Sequence, residues 1–134
     1  MEFRGRAPNG HELTIDTSAD HGGHALGLEP LDLVLLALGG CIGLDVISIM
    51  RKKRQEVTNY DVRITAEQSD EHPRVYTRIE LEHVVAGRNI DEQAVARSIE
   101  LSETKYCPVS AMLRSTVQIH NRYRIVNDDE HPVK

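Results

Sequence analysis

The apolar segment from Leu31 to Met50 constrains the fold of this chain more than any other feature of its sequence. Residues 33–38 are apolar on nearly all sides of a helix, so such a helix must be covered on every face. As a membrane span the segment would carry Asp45 well inside the bilayer, which is costly. We therefore predict a buried core helix that opens near Pro30 and runs to about Arg54.

The rest of the chain alternates between strand and helix patterns, without a repeat or a linker. The motif "PNG" predicts a turn between two short N-terminal strands, and the loop "SADHGGHALGLE" follows them. Beyond the long helix, the patterns predict strands at 57–68 and 74–87, a helix at 87–105, a short helix at 106–115 and a strand at 116–126. This order is typical of an α+β fold rather than of a doubly wound βαβ fold. We predict a single domain of residues 1–134.

Charge and aromatic content argue against nucleic acid as a partner. The formal net charge is −5, the one basic run "RKKR" ends the apolar helix, and the chain has no tryptophan and one phenylalanine. The chain therefore offers a nucleic acid neither a basic surface for its phosphates nor an aromatic platform for stacking of its bases. The N-terminus lacks an apolar export signal. This predicts a cytoplasmic location, where a static disulfide is uncommon.

The two cysteines are therefore candidates for free, catalytic or redox-active thiols. Cys107 precedes Pro108, which fits the first turn of a helix and puts the cysteine at or near the N-cap. The N–H groups there, with Lys105 nearby, predict a lowered pKa for this thiol. The alternative is a capping cysteine without chemistry. Cys41 by itself is typical of a core residue, and Asp45 shares its helix face.

The glycines before Cys41 and the seven histidines of the chain bear on two further questions, access to the thiol and metal binding. Gly39 and Gly40 precede Cys41 and weaken the helix, but they permit close approach of another group. The chain has seven histidines, but no pair has the spacing of ligands on a helix, and His21 and His24 lie in a loop. We expect no metal site and no bound cofactor.

The two cysteine contexts together resemble a known family. The segment "EPLDLVLLALGGCIGLDVISIMRKKR", followed later by "SETKYCPVSAML", resembles the OsmC/Ohr family, the osmotically inducible protein C and organic hydroperoxide resistance proteins. The likeness covers nearly the whole chain, including "GHELTID". It is closest to the small OsmC-like branch with the pattern P-x-E-L-V-L-x-A-x-G-G-C.

The resemblance implies an α+β fold in which curved antiparallel sheets wrap around long central helices in an intertwined homodimer. The partner would then supply half of the cover of the apolar helix. It also implies a thiol-dependent peroxidase of the oxidative stress response, acting on organic hydroperoxides or hydrogen peroxide. Cys41 would become a sulfenic acid, Cys107 would resolve it as a disulfide, and an external dithiol would reduce that disulfide.

The resemblance also suggests a third catalytic residue. Better-known branches have a glutamate near the start of the long helix and an arginine from an N-terminal loop. Asp32 stands at the position of the glutamate, although first-turn charge is a sufficient reason for it. The loop "HGGHALGLE" has no arginine, and Arg4 or Arg6 could substitute. The alternative function is a non-catalytic OsmC-like protein that binds a small ligand or senses redox state.

Overall fold

The computed structural model describes residues 2–127, which fall into two compact units divided between Ala37 and Leu38. The expected domain, 1–134, therefore includes residues outside the described ones. The strands are β1 (Phe3–Arg6), β2 (Glu12–Ile15), β3 (Glu56–Gln68), β4 (Tyr76–Arg88) and β5 (Gln118–Val126). The helices are α1 (Pro30–Lys52), α2 (Glu92–Leu101) and α3 (Pro108–Leu113), with a 3₁₀ turn at Ala19–His21 and a π-helical turn at Ser102–Tyr106.

The first unit contains the hairpin that the "PNG" motif predicts. Strands β1 and β2 pair antiparallel, with Phe3 opposite Ile15. Between them the Ala7 N–H donates to the His11 carbonyl at 2.8 Å. Gly10 has a φ of 90°, a conformation that glycine adopts at little cost. The predicted hairpin is confirmed.

The loop that follows β2 is organised by one buried carboxylate. Asp16 accepts hydrogen bonds from the N–H groups of Thr17 at 2.8 Å and of His24 and Leu26 at 3.1 Å each. These bonds, led by that from Leu26, lower the pKa of Asp16. The small residues of the loop allow the chain to wrap around this side chain.

The second unit is built on a three-stranded sheet in the order β3-β4-β5. Strands β3 and β4 pair antiparallel, with Ile64 opposite Leu81, whereas β5 runs parallel to β4, with Asn121 opposite Leu81. The predicted α+β class is confirmed. The parallel pair arises because α2 and α3 carry the chain back across the sheet before β5 begins.

Helix α1 packs one face on β3. A Cβ atom added at Gly39 would overlap the side chain of Ile64, so this glycine is a close-approach position, as predicted. Gly40, in contrast, has open space beside it. Four apolar side chains spaced one turn apart form the buried face: Leu38, Ile42, Val46 and Met50.

Among residues 2–127, the opposite face of α1 keeps apolar side chains exposed. Leu44 is 72% exposed. The expectation of a helix buried all round is therefore met on one face only, because one sheet can cover only one side of a helix. Helix α1 is also long and apolar enough to cross a membrane. Length and composition alone do not distinguish such a span from the core helix of a globular protein.

A polar network ties the three strands of the sheet together. The Tyr60 hydroxyl and His83 Nδ1 lie 2.6 Å apart, and His83 Nε2 lies 2.8 Å from the Asn121 side-chain oxygen. His83 is fully buried, and its burial lowers its pKa. A neutral imidazole can donate from one ring nitrogen and accept at the other, as this pairing requires.

Candidate active site

The two cysteines, far apart in sequence, lie side by side in the second unit. The Cys107 Sγ donates to the Cys41 Sγ at a distance of 2.8 Å, and neither thiol is in a disulfide. A disulfide bond measures about 2.05 Å, so less than about 1 Å of sulfur movement would join them. The two sulfurs are therefore close enough for oxidation to join them as a disulfide.

The two thiols differ in their access to solvent. Cys41, on α1, is partly exposed. Cys107 is only 3% exposed and caps α3: its Sγ accepts a hydrogen bond from the Ser110 N–H at 3.3 Å. Its own carbonyl accepts from the Ala111 N–H, which starts the helix. The predicted N-cap position of Cys107 is confirmed.

The predicted lowered pKa of Cys107 is wrong. Burial, together with the hydrogen bond that the thiol donates to Cys41, raises the pKa of Cys107 to about 11. The Ser110 N–H acts in the expected direction but is outweighed. Lys105, the expected cation, has its Nζ 5.2 Å above the centre of the Tyr106 ring.

A carboxylate completes the group. Asp45 lies one helical turn after Cys41 and accepts a hydrogen bond from the Ser102 hydroxyl, at 2.8 Å on Oδ2. Ser102 is fully buried and Asp45 is partly exposed, so water has only partial access to this bond. A carboxylate oxygen of Asp45 and the sulfurs of Cys41 and Cys107 all lie within 4.8 Å of one another.

The π-helical turn explains how the chain brings Ser102 and Cys107 to one place. The turn starts at Ser102 and ends just before Cys107, whose N–H donates to the Ser102 carbonyl at 2.8 Å. The five-residue spacing of this bond is that of a π-helix, a form that is frequent at functional sites. The same segment thus holds the partner of Asp45 and the second thiol.

The other candidate residues belong to the first unit. Asp32 lies in the first turn of α1 and is exposed, which suits the helix dipole, and its role at the thiols stays a prediction. Arg4 and Arg6 each lie within 4.0 Å of Glu12 as exposed ion pairs.

The two loop histidines also belong to the first unit, and both are exposed. The His21 ring nitrogen Nδ1 lies 3.0 Å from the Ser18 hydroxyl.

Sequence reasoning missed two parts of this site. Asp45 was recognisable as a charge in an apolar segment, but only as a helix neighbour of Cys41. Ser102 had no signal, because the sequence pattern there continued as an ordinary helix. A third feature is the Ser110 hydroxyl, which is buried and has no hydrogen-bond partner within residues 2–127.

The sulfurs of Cys41 and Cys107 and the carboxylate of Asp45 are also the side chains that could hold a metal ion. Two thiolates and a carboxylate suit a soft or borderline ion such as Zn²⁺ rather than Mg²⁺ or Ca²⁺. Our expectation of no metal site rested on the spacing of the histidines. This group contains no histidine, so that argument does not apply to it.

Fold and site together define a class, an α+β protein with a paired-thiol site between its long helix and a capped short helix. Residues 22–121 match the family model described as OsmC-like protein. The chain belongs to the OsmC-like family. This confirms the resemblance drawn from the cysteine motifs.

Individual relatives agree with this assignment. Protein YhfA of Escherichia coli strain K12 is 39% identical over 127 residues, covering 94% of this chain and 91% of YhfA. The crystal structure of a hypothetical protein from Aquifex aeolicus VF5 has 28% identity and a TM-score of 0.79, covering 96% of each chain. The organic hydroperoxide resistance protein OhrB of Bacillus subtilis, at 15% identity and a TM-score of 0.60, shares the fold over 92% of this chain and 96% of its own. The family and the paired thiols indicate a redox-related function.

Proposed function

We propose that this protein is a thiol-dependent peroxidase that reduces organic hydroperoxides or hydrogen peroxide, using Cys41 as the nucleophile and Cys107 as the resolving thiol. The observation that carries the proposal is the pair of free sulfurs 2.8 Å apart, one partly exposed and one buried. The OsmC-like family and the shared fold of the organic hydroperoxide resistance proteins support it.

The reaction has two oxidative steps. The Cys41 sulfur attacks one peroxide oxygen, the O–O bond breaks, and an alcohol or water leaves, so that a sulfenic acid remains on Cys41. The Cys107 sulfur then attacks the Cys41 sulfur, water leaves, and a disulfide forms. An external dithiol returns the pair to the reduced state by thiol–disulfide exchange. Because Cys107 already contacts Cys41, the second step is intramolecular and well oriented.

Asp45 is the group we propose to move protons in both steps. Its carboxylate lies within 4.8 Å of both sulfurs, a separation that one bridging water can span, so that it can take a proton from each thiol as that thiol becomes a nucleophile. It then returns the proton to the departing alkoxide or hydroxide. Such a base matters most at Cys107, whose pKa of about 11 leaves little thiolate at neutral pH. The Ser102 hydroxyl orients the carboxylate.

The test is consumption of cumene hydroperoxide by the reduced protein with excess dithiothreitol as the dithiol. We expect sustained turnover by the native chain and none by Cys41→Ser. The matched control is Ser98→Ala, which removes a buried hydroxyl that bonds to the Ala94 carbonyl, not to Asp45. Peroxide loss that continues at the same rate in Cys41→Ser would remove Cys41 from the mechanism.

The second candidate is a non-catalytic member of the fold that binds a small ligand or senses redox state. The absence of an arginine from the loop "HGGHALGLE" favours it, because a thiolate without a cation is less reactive. A lipid-like molecule that copurifies, seen by native mass spectrometry, together with no peroxide turnover, would support this candidate over the peroxidase.

We also propose that the protein works as a homodimer in the cytoplasm, where dithiol reductants are available. The exposed side of α1 supports a dimer, because Leu44 is apolar and largely bare in the single chain. Leu44→Glu should lower the mass measured by light scattering from dimer to monomer. Met112→Glu, at an equally exposed methionine of α3, should leave it unchanged. A native chain that is monomeric at micromolar concentration would contradict the dimer.

A further inference from the structure

We infer that the reduced thiol pair is also a binding site for a thiophilic divalent cation of the Zn²⁺ class, held by the sulfurs of Cys41 and Cys107 and a carboxylate oxygen of Asp45. These three donor atoms lie within 4.8 Å of one another. Two sulfurs and one oxygen form a donor set that zinc accepts in proteins. The effect of the metal on activity rests on the proposed peroxidase function, whereas metal binding does not depend on that function.

The spacing of the sulfurs suits a metal after a small adjustment. With Zn–S bonds of about 2.3 Å in a tetrahedral arrangement, two sulfurs lie about 3.8 Å apart. The present 2.8 Å therefore has to open by about 1 Å. Cys41 is the more mobile of the two ligands in this respect, because its side chain is partly exposed while Cys107 is buried. The same exposure leaves room for water at the fourth position of the ion.

Hydrogen bonds already orient two of the three ligands. The Ser102 hydroxyl donates to Asp45 Oδ2, and the Ser110 N–H donates to the Cys107 Sγ. Outer contacts of this kind orient the ligands of metal sites and contribute strongly to their affinity.

The charge balance also favours binding. One divalent cation replaces two thiol protons, so the net charge of the group does not change and no additional charge is buried. Zn²⁺ binds the two sulfurs and the carboxylate, and the two thiols release one proton each. No oxidation state changes.

In the proposed peroxidase, the bound ion would reversibly block the two thiols. A sulfur whose lone pair is bound to the metal is a weaker nucleophile, so the bound pair would react with peroxide more slowly than the free thiols. Oxidation of the complex by one hydroperoxide, with two protons, would yield the disulfide, an alcohol, water and the free cation. Metal occupancy would therefore make reduction of peroxide depend on the free zinc concentration.

The test is a titration of the reduced native chain with Co²⁺ in the absence of peroxide, followed by displacement with Zn²⁺. We expect the charge-transfer band of a cobalt–thiolate bond to saturate at one ion per chain and to disappear on addition of Zn²⁺. The protein with its thiols oxidised to a disulfide should give no band. Surface histidines do not produce this band, so it reports the sulfurs alone.

Three variants make the result specific. Cys41→Ser and Cys107→Ser should each remove most of the band, with circular dichroism as the check on folding. Asp45→Asn should weaken affinity at least about tenfold, since even outer-shell groups contribute that much. Glu100→Gln, an exposed carboxylate on α2, is the matched control and should bind as the native chain does.

Two results would overturn the inference. One is the absence of a charge-transfer band with the reduced native chain. The other is an Asp45→Asn affinity equal to the native one, since Asp45 would then be no ligand. Neither result depends on peroxide turnover, so a protein that binds Co²⁺ but reduces no peroxide would keep this inference and lose the proposed function.

Discussion

Cys41 and Cys107 are neighbours in space but differ in almost every property that governs thiol chemistry. Cys41 lies on a long helix and is partly exposed, whereas Cys107 is buried as the cap of a six-residue helix. Burial raises the pKa of Cys107 to about 11. Cys41 is therefore the thiol more accessible to solvent, and the Cys41 sulfur is the neighbour of the buried Cys107 sulfur.

This difference teaches that proximity does not make two thiols equivalent. A carboxylate oxygen of Asp45 lies within 4.8 Å of both sulfurs, but the Ser110 N–H donates to Cys107 alone of the two. Under the proposed function, this asymmetry favours Cys41 as the attacking thiol and Cys107 as the resolving thiol.

The largest expected effect comes from exchanging the two cysteines for serine. Cys41→Ser should abolish peroxide consumption, because the accessible nucleophile is gone. Cys107→Ser should still form one sulfenic acid per chain but stop turnover with dithiothreitol. A dimedone adduct counted by mass spectrometry measures this. Full turnover in Cys107→Ser would make that cysteine structural.

The second prediction concerns the carboxylate that both thiols share. Asp45→Asn should slow the reaction of Cys41 with cumene hydroperoxide by about a hundredfold, the low end of what a general base contributes. Stopped-flow measurement of sulfenic acid formation over a pH range is the test. A rate that is unchanged or faster would mean that Asp45 acts only as a charge that disfavours the thiolate.

The third prediction uses the raised pKa of Cys107. With less than one equivalent of iodoacetamide at pH 7, the label should go to Cys41, and labelling of Cys107 should rise about tenfold per pH unit below its pKa of about 11. The raised pKa also means that the folded protein holds the Cys107 proton more tightly than the unfolded chain does. This contribution to the free energy of unfolding is fully present below pH ~9 and is lost as the pH rises through about 11. Preferential labelling of Cys107 at pH 7 would reverse the assignment.

The smallest effect is expected at the serine that orients Asp45. Ser102→Ala removes one hydrogen bond, worth ~1 kcal/mol, and should slow peroxide reduction about fivefold. The matched control is Ser98→Ala, one helical turn earlier and equally buried, which should alter stability but not the rate. Equal rates for the two variants would show that Ser102 is structural.

Local patterns predicted most of the fold. The "PNG" hairpin and the Cys107 cap of α3 are confirmed, because each depends on neighbouring residues alone. Gly39 was predicted as a close-approach position and meets Ile64, while Gly40 faces open space in the single chain. Which of two adjacent glycines faces the sheet depends on the rotation of the helix, which the apolar pattern did not define.

The site was predicted less completely. The helix predicted at 87–105 ends earlier, and a π-helical turn follows, for which the sequence has no marker. That turn brings Ser102 to Asp45, so the hydrogen bond could not be predicted. The expected lowered pKa of Cys107 was wrong because a cap position reveals nearby N–H groups but not burial, and burial has the larger effect here.

The most direct test of the redox pair is the intact mass and free-thiol count of the reduced native chain before and after one equivalent of cumene hydroperoxide. The account predicts the loss of two protons and both thiols, with peptide mapping that joins Cys41 to Cys107 within one chain. Two thiols unchanged after minutes of exposure, in folded protein, would contradict it.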